Sequence, residues 1–497
     1  MTFSEHLPVL PLIILFVSSY VCVMMPRRLS HLAVWVTVVA TGIVFLLSVE
    51  LGRQVFLYGT RVYHLSSWPP PWGIELQADS LGSFTLVVLT LISFLVSVFS
   101  SQALGSEVDG SVHSLYYGLY LVLLAAMSGM GLSNDLFNIF VFAEVGAIAA
   151  AGLVAVKGSG PSIEAGLKYL MLSTMGSGLF LFGVAMIYMV TGYLNLGFIS
   201  MALPTAVANY PSVVAVAAGM IFMGLAVKAA LYPLHVWLPD AHSTAPAASS
   251  AILSGLVVKI YIVLFIRLFY QSFGPRVLEM IPVMSILLWT AVLGIFTGSV
   301  VAMLQTDIKR MLAWSTIGQI GFIFLGLAVL SPNALVGGLF HILAHAVVKS
   351  MLFLCAGAMI YASGRRRIAD LEGAGAYMPI PMVAFTIGSL SMVGIPGLAG
   401  FVSKVYLAMG SLDAGMPALV MVILGSSFLN AVYFLPIVIR GFFSYSPPPP
   451  STFSVRPLPW PLSFTLITLA GITLFFGFFP SIALNLVIRA TQVLWGA

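Results

Sequence analysis

Apolar stretches about twenty residues long follow one another along nearly the whole chain, and they set the class of fold. A helix needs about 20 mostly apolar residues to cross a bilayer. Fourteen stretches qualify, at 7–25, 30–52, 79–101, 113–132, 135–156, 162–190, 212–236, 246–270, 281–303, 308–330, 333–362, 379–409, 415–440 and 460–492. The longer ones have room to tilt or break. The sequence therefore predicts an all-α integral membrane protein with about 14 transmembrane helices. Composition agrees, with 60% of residues hydrophobic and 7% charged, against roughly 25% charged in a soluble domain. The first stretch lacks the basic leader of a cleaved signal peptide and reads as a retained span.

Composition also excludes several functions. The net charge of +5 is scattered over short loops without a dense patch, so nucleic acid is not a partner. Cys22 and Cys355 lie far apart in apolar stretches. They make neither a four-thiolate metal site nor a haem-attachment motif, and read as small buried hydrophobes. The chain has no dinucleotide fingerprint, P-loop or nucleophile–base constellation. No cofactor or metal is expected, and any electron transfer belongs to partner subunits.

The longest connections are 53–78, with Trp68-Pro-Pro-Pro-Trp72, and 441–459, with Pro447 to Pro450. Both read as interfacial or polyproline spacers. Basic loop residues set orientation. With both termini outside, ten fall inside: Arg27, Arg28, Lys157, Lys309, Arg310, Arg365, Arg366, Arg367, Arg440 and Arg456. Five fall outside: Arg53, Arg61, Arg267, Arg276 and Arg489.

A faint repeat aligns Asp135–Gly146 with Asp307–Gly318 at an offset of 172, and Gly183–Tyr188 with Ala356–Tyr361 at nearly the same offset. Five helices per unit is an odd number, so the second unit enters from the opposite side, a common transporter plan. The expected units are 1–112 (spans one to three), 113–270 and 271–440 (two inverted five-helix repeats), and 441–497 (linker and last span). Helices seven and twelve carry breaks, Lys228 followed by Pro233 and Gly394-Ile-Pro-Gly397 followed by Lys404. Proline removes a backbone donor and clashes with the preceding turn. Broken helices are tolerated at membrane depth where protein or a water-filled cavity satisfies the freed groups.

Seven lysines and thirteen arginines are distributed differently. Arginines sit at span ends or in loops, whereas Lys168, Lys228, Lys259, Lys349 and Lys404 lie within spans. A charge at mid-bilayer costs about 3 kcal/mol on insertion scales. Lysine releases its proton far more readily than arginine when desolvated, so the row suggests groups that carry protons. Glu144 is the only carboxylate deep in a span. It is either a neutral hydrogen-bonded acid or the partner of an intramembrane lysine, most naturally Lys228. Lys228 and Lys259 are too far from their helix ends to snorkel. Lys168, near a helix start, also suits an ordinary pair with Glu164 one turn earlier. Lys404 is near a helix end but follows the break at Pro396.

His341, His345 and Lys349 recur every four residues and share one helix face. A His-x-x-x-His pair can bind zinc, but no third ligand is apparent and there is no HExxH glutamate. A proton relay suits the face better, with satisfied core histidines as the bland reading. His235 and His242, around the seventh-span break, are candidates for linking the site to the inner surface. Asp307, with Lys309 and Arg310, reads rather as a helix end at the membrane face, with a secondary role as access.

Three segments, DLFNIFVFAEV (135–145), KAALYPLHVWLPDAHSTAPAASSAILSGLVVK (228–259) and HILAHAVVKSMLFL (341–354), resemble the antiporter-like subunits of respiratory complex I. They are also similar to Mrp cation/proton antiporters and membrane-bound hydrogenases, and GIPGLAGFVSK (394–404) resembles the family's broken twelfth helix. Chain length and DLFNIFVF look most like the MrpD and hydrogenase-type members. The resemblance implies fourteen helices in two inverted units. It also implies roles: Glu144 and Lys228 match the family's charged pair, Lys259 its central lysine, and Lys404 its exit lysine. His341, His345 and Lys349 match the connecting face, and Lys168 a further lysine of some members. Gln319 stands where some relatives have histidine. The chain ends soon after the last span, which differs from the largest complex I member and its lateral helix.

The expected function is a proton-translocating subunit of a multi-subunit complex in a prokaryotic cytoplasmic membrane, either an Mrp-type sodium/proton antiporter or a redox pump like complex I or the membrane-bound hydrogenases. A lone secondary transporter of an organic solute, or a quinone-binding redox subunit, are the alternatives.

Overall fold

The structure is a computed structural model that describes residues 3–274, 277–278, 282–443 and 456–495. The Pro447–Pro450 spacer and Arg276 lie outside the described residues. Apolar sequence becomes helix almost throughout. In chain order α1 is Leu10–Met24, α2 Ala33–Tyr58, α3 Ser80–Ala103, α4 His113–Leu132, α5 Leu136–Ala155, α6 Gly160–Thr191, α7 Leu196–Asn209, α8 Pro211–Lys228 and α9 Leu238–Thr244. The long helix Ala247–Phe273 is α10. Then come α11 Val283–Met303, α12 Ile308–Ala328, α13 Pro332–Ser363, α14 Pro379–Val393, α15 Ala399–Asp413, α16 Ala418–Phe443, α17 Trp460–Phe478 and α18 Ser481–Trp495.

Among the described residues twelve helices are long and apolar enough to cross a membrane. Two expected spans fall short of that length for different reasons. The first, α1, has only 15 residues. The twelfth is divided at Gly394 (φ 94°) into α14 and α15, of 15 residues each. The last expected span, 460–492, is likewise two helices, α17 and α18, separated after Phe479. Two of these helices fill expected connections: α7 occupies much of 191–211, its 14 residues containing Pro204 and falling below the length of a span, and α9 occupies most of 237–245.

The 53–78 connection is an antiparallel hairpin, β1 Arg61–His64 paired with β2 Glu75–Ala78 in the register Arg61 to Ala78. Its Glu75 accepts from the Asn134 side chain at 2.7 Å, which ties the hairpin to the α4–α5 turn. This end of the bundle is the hairpin face. The opposite face carries Glu107, Lys157, Asp240, Lys309 and Arg366 on neighbouring turns.

Two turns share one hydrogen-bond pattern, shifted by the same 172 residues as the sequence repeat. Leu136 N–H donates to Leu194 O and Leu196 N–H to Asn134 O, each at 2.9 Å. Ile308 N–H donates to Arg366 O at 3.1 Å and Ile368 N–H to Thr306 O at 2.8 Å. Asp135 and Asp307 cap α5 and α12 alike, accepting from Asn138 N–H at 2.8 Å and Arg310 N–H at 2.9 Å, the ordinary use of aspartate at a helix start. The first turn lies on the hairpin face, beside Asn134, and the second on the opposite face, beside Lys309. Both α6 and α13 contain 32 residues and end at a left-handed glycine, Gly192 and Gly364.

Three helices form the centre. The apolar windows of α10 and α13 are wholly buried, and that of α12 nearly so, whereas α6 and α11 bury well under half of theirs. Helices α6 and α11 thus turn apolar faces outward, while α10, α12 and α13 are enclosed by the other helices. Close crossings allow this packing. At Gly224 an added Cβ would lie 2.5 Å from Gly176 O, which holds α8 against α6.

Candidate functional site

Lys228, Lys259 and Lys404 sit where helical backbone is irregular. A regular helix spends its carbonyls on its own N–H groups, so a break or a π-turn frees acceptors. At the end of α8, Lys228 is buried and its Nζ donates to Ser173 Oγ at 3.0 Å and Glu144 Oε1 at 3.4 Å. Ser177 also donates to Glu144, and the ammonium stands 5.3 Å from the Tyr261 ring centre. Glu144 keeps about a quarter of its side chain exposed. Past Lys228 the chain turns through Ala230 at φ 53°, and the Val227 carbonyl accepts from both Ala230 N–H at 3.2 Å and Trp237 Nε1–H at 3.0 Å.

Lys259 lies just after the π-helical segment Leu253–Val257 of α10 and donates to the Ser254 carbonyl. Ser254 Oγ meets Thr316 Oγ1 at 2.9 Å. Lys349 on α13 donates to Leu312 O at 3.1 Å and to Ser315. Lys404 donates to Met392 O at 2.8 Å, Val393 O at 3.0 Å and Ser427 Oγ at 2.9 Å, so the carbonyls freed by the α14–α15 break fill its donor sites. Gly394 makes room, since an added Cβ there would stand 2.9 Å from Lys404 Cδ.

The histidines join these lysines. His341 Nδ1 contacts Ser403 Oγ at 2.8 Å and its Nε2 contacts Gln319 Oε1 at 3.1 Å, so Gln319 is bonded directly to the histidine face. His345 stacks on His341 with ring centres 5.9 Å apart, and both its ring nitrogens are buried without a partner among the described residues. His345 lies within electrostatic reach of Lys259 and Lys349, and His341 of Lys404 and Lys259. His242 is fully buried, also with two unpartnered nitrogens, and feels Lys309, Lys259 and Lys349. His235 stacks on Tyr232 and meets Trp314 edge-on.

The structure thus brings Lys259, His341, His345, Lys349 and Lys404 into one buried polar axis, with His242 beside it, and sets the Glu144–Lys228 pair against the Tyr261 ring of the same α10. Two other expected residues stand apart. Lys168 pairs at 2.6 Å with Asp240 on α9, not with Glu164, and nearly half its side chain is exposed. Asp307 pairs with Arg366 at 3.0 Å on the same face.

Several residues were missed. Lys309, read as a helix-end marker, is almost fully buried and donates to the Ala245 carbonyl. Glu107 accepts from Lys157 Nζ at 2.6 Å and Ala247 N–H at 2.9 Å. Burial alone would raise the Glu107 carboxyl, but Lys309, Lys157 and the Ala247 amide together hold it below the ordinary carboxylate value. Ser173 and Ser177, four residues apart on α6, were legible only as a polar pair on one helix face. Arg267 corrects the reading that placed it at the outer surface: it is 1% exposed, inside the core.

Fold and axis together define a multi-pass membrane protein with a line of buried titratable groups. Residues 133–430 match the family model described as NADH:quinone oxidoreductase/Mrp antiporter, TM, and the chain belongs to that family. It is 38% identical over 465 residues to NADH-quinone oxidoreductase subunit N of Desulforudis audaxviator, covering 92% of this chain and 90% of that one. Its fold is similar to a chain of an archaeal membrane-bound sulfane sulfur reductase, with TM-score 0.89, 31% identity and coverage of 99% and 97%. It is equally similar to a chain of the Mrp complex from Dietzia sp. DQ12-45-1b, with TM-score 0.90, 26% identity and coverage of 100% and 98%. The protein is an antiporter-like subunit of the cell membrane, which favours that reading over a lone solute transporter or a quinone-binding subunit.

Proposed function

We propose that the chain moves protons along the buried axis, as one subunit of a larger membrane complex, with the Glu144–Lys228 pair as an electrostatic gate. The observation that carries this is the succession of Lys259, Lys349, His345, His341 and Lys404 through α10, α13 and α15, each within electrostatic reach of a neighbour, with Lys228 joined to α10 at the Tyr261 ring. Burial lowers a lysine's proton affinity and a nearby carboxylate raises it. While Glu144 stays near, Lys228 holds its proton; when the pair parts, the proton is released toward Lys259. From there the histidine–lysine face of α13 leads to Lys404. The face carrying Lys157, Lys309 and Arg366 is the cytoplasmic side by its basic loops. His242, between Lys309 and the central lysines, is the group placed to admit protons from that side. The two structural neighbours are multi-subunit complexes, and this chain's partners are read as other membrane subunits. Protons are the moving ion, with sodium as a possible exchange partner.

The test uses the assembled complex in vesicles. Lys228→Ala and Glu144→Ala are expected to abolish coupled proton or sodium movement while the complex still assembles on native electrophoresis. Wild-type transport in both variants would sink the mechanism.

A further inference from the structure

One cation in the core is not a lysine. Arg267 begins the π-helical segment Arg267–Phe273 of α10, eight residues beyond Lys259 on the same helix, or roughly 12 Å along the axis. Its Nη2 pairs at 2.8 Å with Asp79, itself 8% exposed. Asp79 directly follows β2 and caps α3 through Gly82 N–H at 2.7 Å, and it also accepts from Gln271 Nε2 at 3.3 Å. Gly82 is small for a reason: an added Cβ would lie 2.6 Å from Arg267 Nη2. The carboxylate is thus anchored by three donors, and the guanidinium is held at one place. Arg267 Nε is buried with no partner among the described residues, so the positive end is only partly compensated.

We infer that Arg267, fixed by Asp79, is a seal that stops protons at Lys259 from leaving along α10 to the hairpin face. This rests on the proton-carrying axis proposed above. The chemistry suits a barrier and not a relay, because guanidinium keeps its proton throughout the physiological range. A fixed cation in a narrow passage repels a second positive charge, as in pores that exclude protons and cations. Between Lys259 and Arg267, residues 262–266 of α10 are apolar and buried, whereas Tyr270, Gln271 and Ser272 beyond Arg267 are polar, so Arg267 stands where the polar groups of the hairpin end begin. With that end closed, the histidine–lysine face of α13 is the remaining way onward from Lys259.

The measurement is passive proton leak in vesicles holding the assembled complex, after an imposed pH step and with no driving reaction. The near-isosteric double variant Asp79→Asn/Arg267→Gln removes both charges together. Its leak is expected to exceed wild type severalfold, because a fixed, permanently protonated group is replaced by neutral amides while the net charge of the pair stays the same. Adding Lys259→Ala is expected to return the leak to the wild-type level. Gly82→Ala keeps both charges and displaces the guanidinium, so an intermediate leak is expected even if the double variant fails to assemble. A tight double variant, or a leak that ignores Lys259, would overturn the seal and leave Arg267–Asp79 as a structural pin. A tight Gly82→Ala would overturn it equally when the double variant cannot be made. Driven transport by Lys228→Ala and Glu144→Ala tests the underlying axis separately, so the two failures are distinguishable.

Discussion

The two broken helices each present a buried lysine, yet they hold it by different means. At the α8 end, Lys228 faces a carboxylate, Glu144, and a hydroxyl, Ser173. At the α14–α15 break, Lys404 faces two main-chain carbonyls and a hydroxyl, with no carboxylate among its bonded partners. The sequence repeat places Thr316 where the first unit has Glu144. A carboxylate adds a full charge that can be moved toward or away from the lysine. Carbonyls supply fixed dipoles that cannot leave. The first site is therefore built to switch, and the second to hold a cation in a constant field.

Four substitutions sharpen or break that contrast. Glu144→Gln strands a buried ammonium, and removing one partner of a buried pair costs about 3–5 kcal/mol. Driven transport should vanish and the melting temperature of the complex should fall clearly. Lys404→Gln deletes the titratable ammonium but leaves an amide able to bond Met392 and Val393. Transport should collapse here too, but with a smaller melting shift, on the scale of one net hydrogen bond, about 1 kcal/mol. Equal melting shifts in the two variants would erase the distinction. Thr316→Glu places a carboxylate beside Ser254, whose carbonyl holds Lys259. A counter-charge that raises a lysine's proton affinity by one unit slows release about tenfold, so turnover should drop by that order, read as steady-state proton flux. Unchanged flux would show that the second unit tolerates a charge as the first does. Asp240→Asn, at the partly exposed pairs with Lys168 and Arg310, should cost about 0.2–1 kcal/mol and leave flux near wild type.

The clasp on the face opposite the hairpin adds a pH dependence of the smallest size. Glu107 is held below its ordinary value of 4.5. Because its folded-state affinity for protons is depressed, its stabilising contribution is fully present above 4.5 and is lost as pH falls through the lower folded value. Hydrogen exchange at the Ala247 amide, corrected for intrinsic rates, should stay protected from pH 8 to 5 and open on further acidification. Glu107→Gln should flatten that response.

Much of this was legible before any coordinates, for physical reasons that also mark the limit. Apolar length identifies helices because the bilayer imposes it, and lysines within such lengths stand out against their surroundings. The four-residue spacing of His341, His345 and Lys349 places them on one face without further information. Breaks at Pro233 and Gly394-Ile-Pro-Gly397 are equally local. Partners distant in sequence were not legible. Lys168 meets Asp240, 72 residues away, instead of Glu164, and Arg267 meets Asp79 across 188 residues. Arg267 was misplaced because its position near the end of an apolar stretch says nothing about which helices surround that end. Lys309 was misread likewise, since an N-terminal helical turn is exposed only if no loop covers it.

The supply of acceptors to Lys259, Lys349 and Lys404 from main-chain carbonyls has a practical outcome for mutational mapping. Alanine scanning across Ser254, Leu312, Met392 and Val393 truncates side chains while leaving every one of those oxygens in place. Such a scan would return near-normal transport at positions that hold the conducting cations. Amide-to-ester replacement, which weakens a chosen carbonyl as an acceptor without touching its side chain, would expose them.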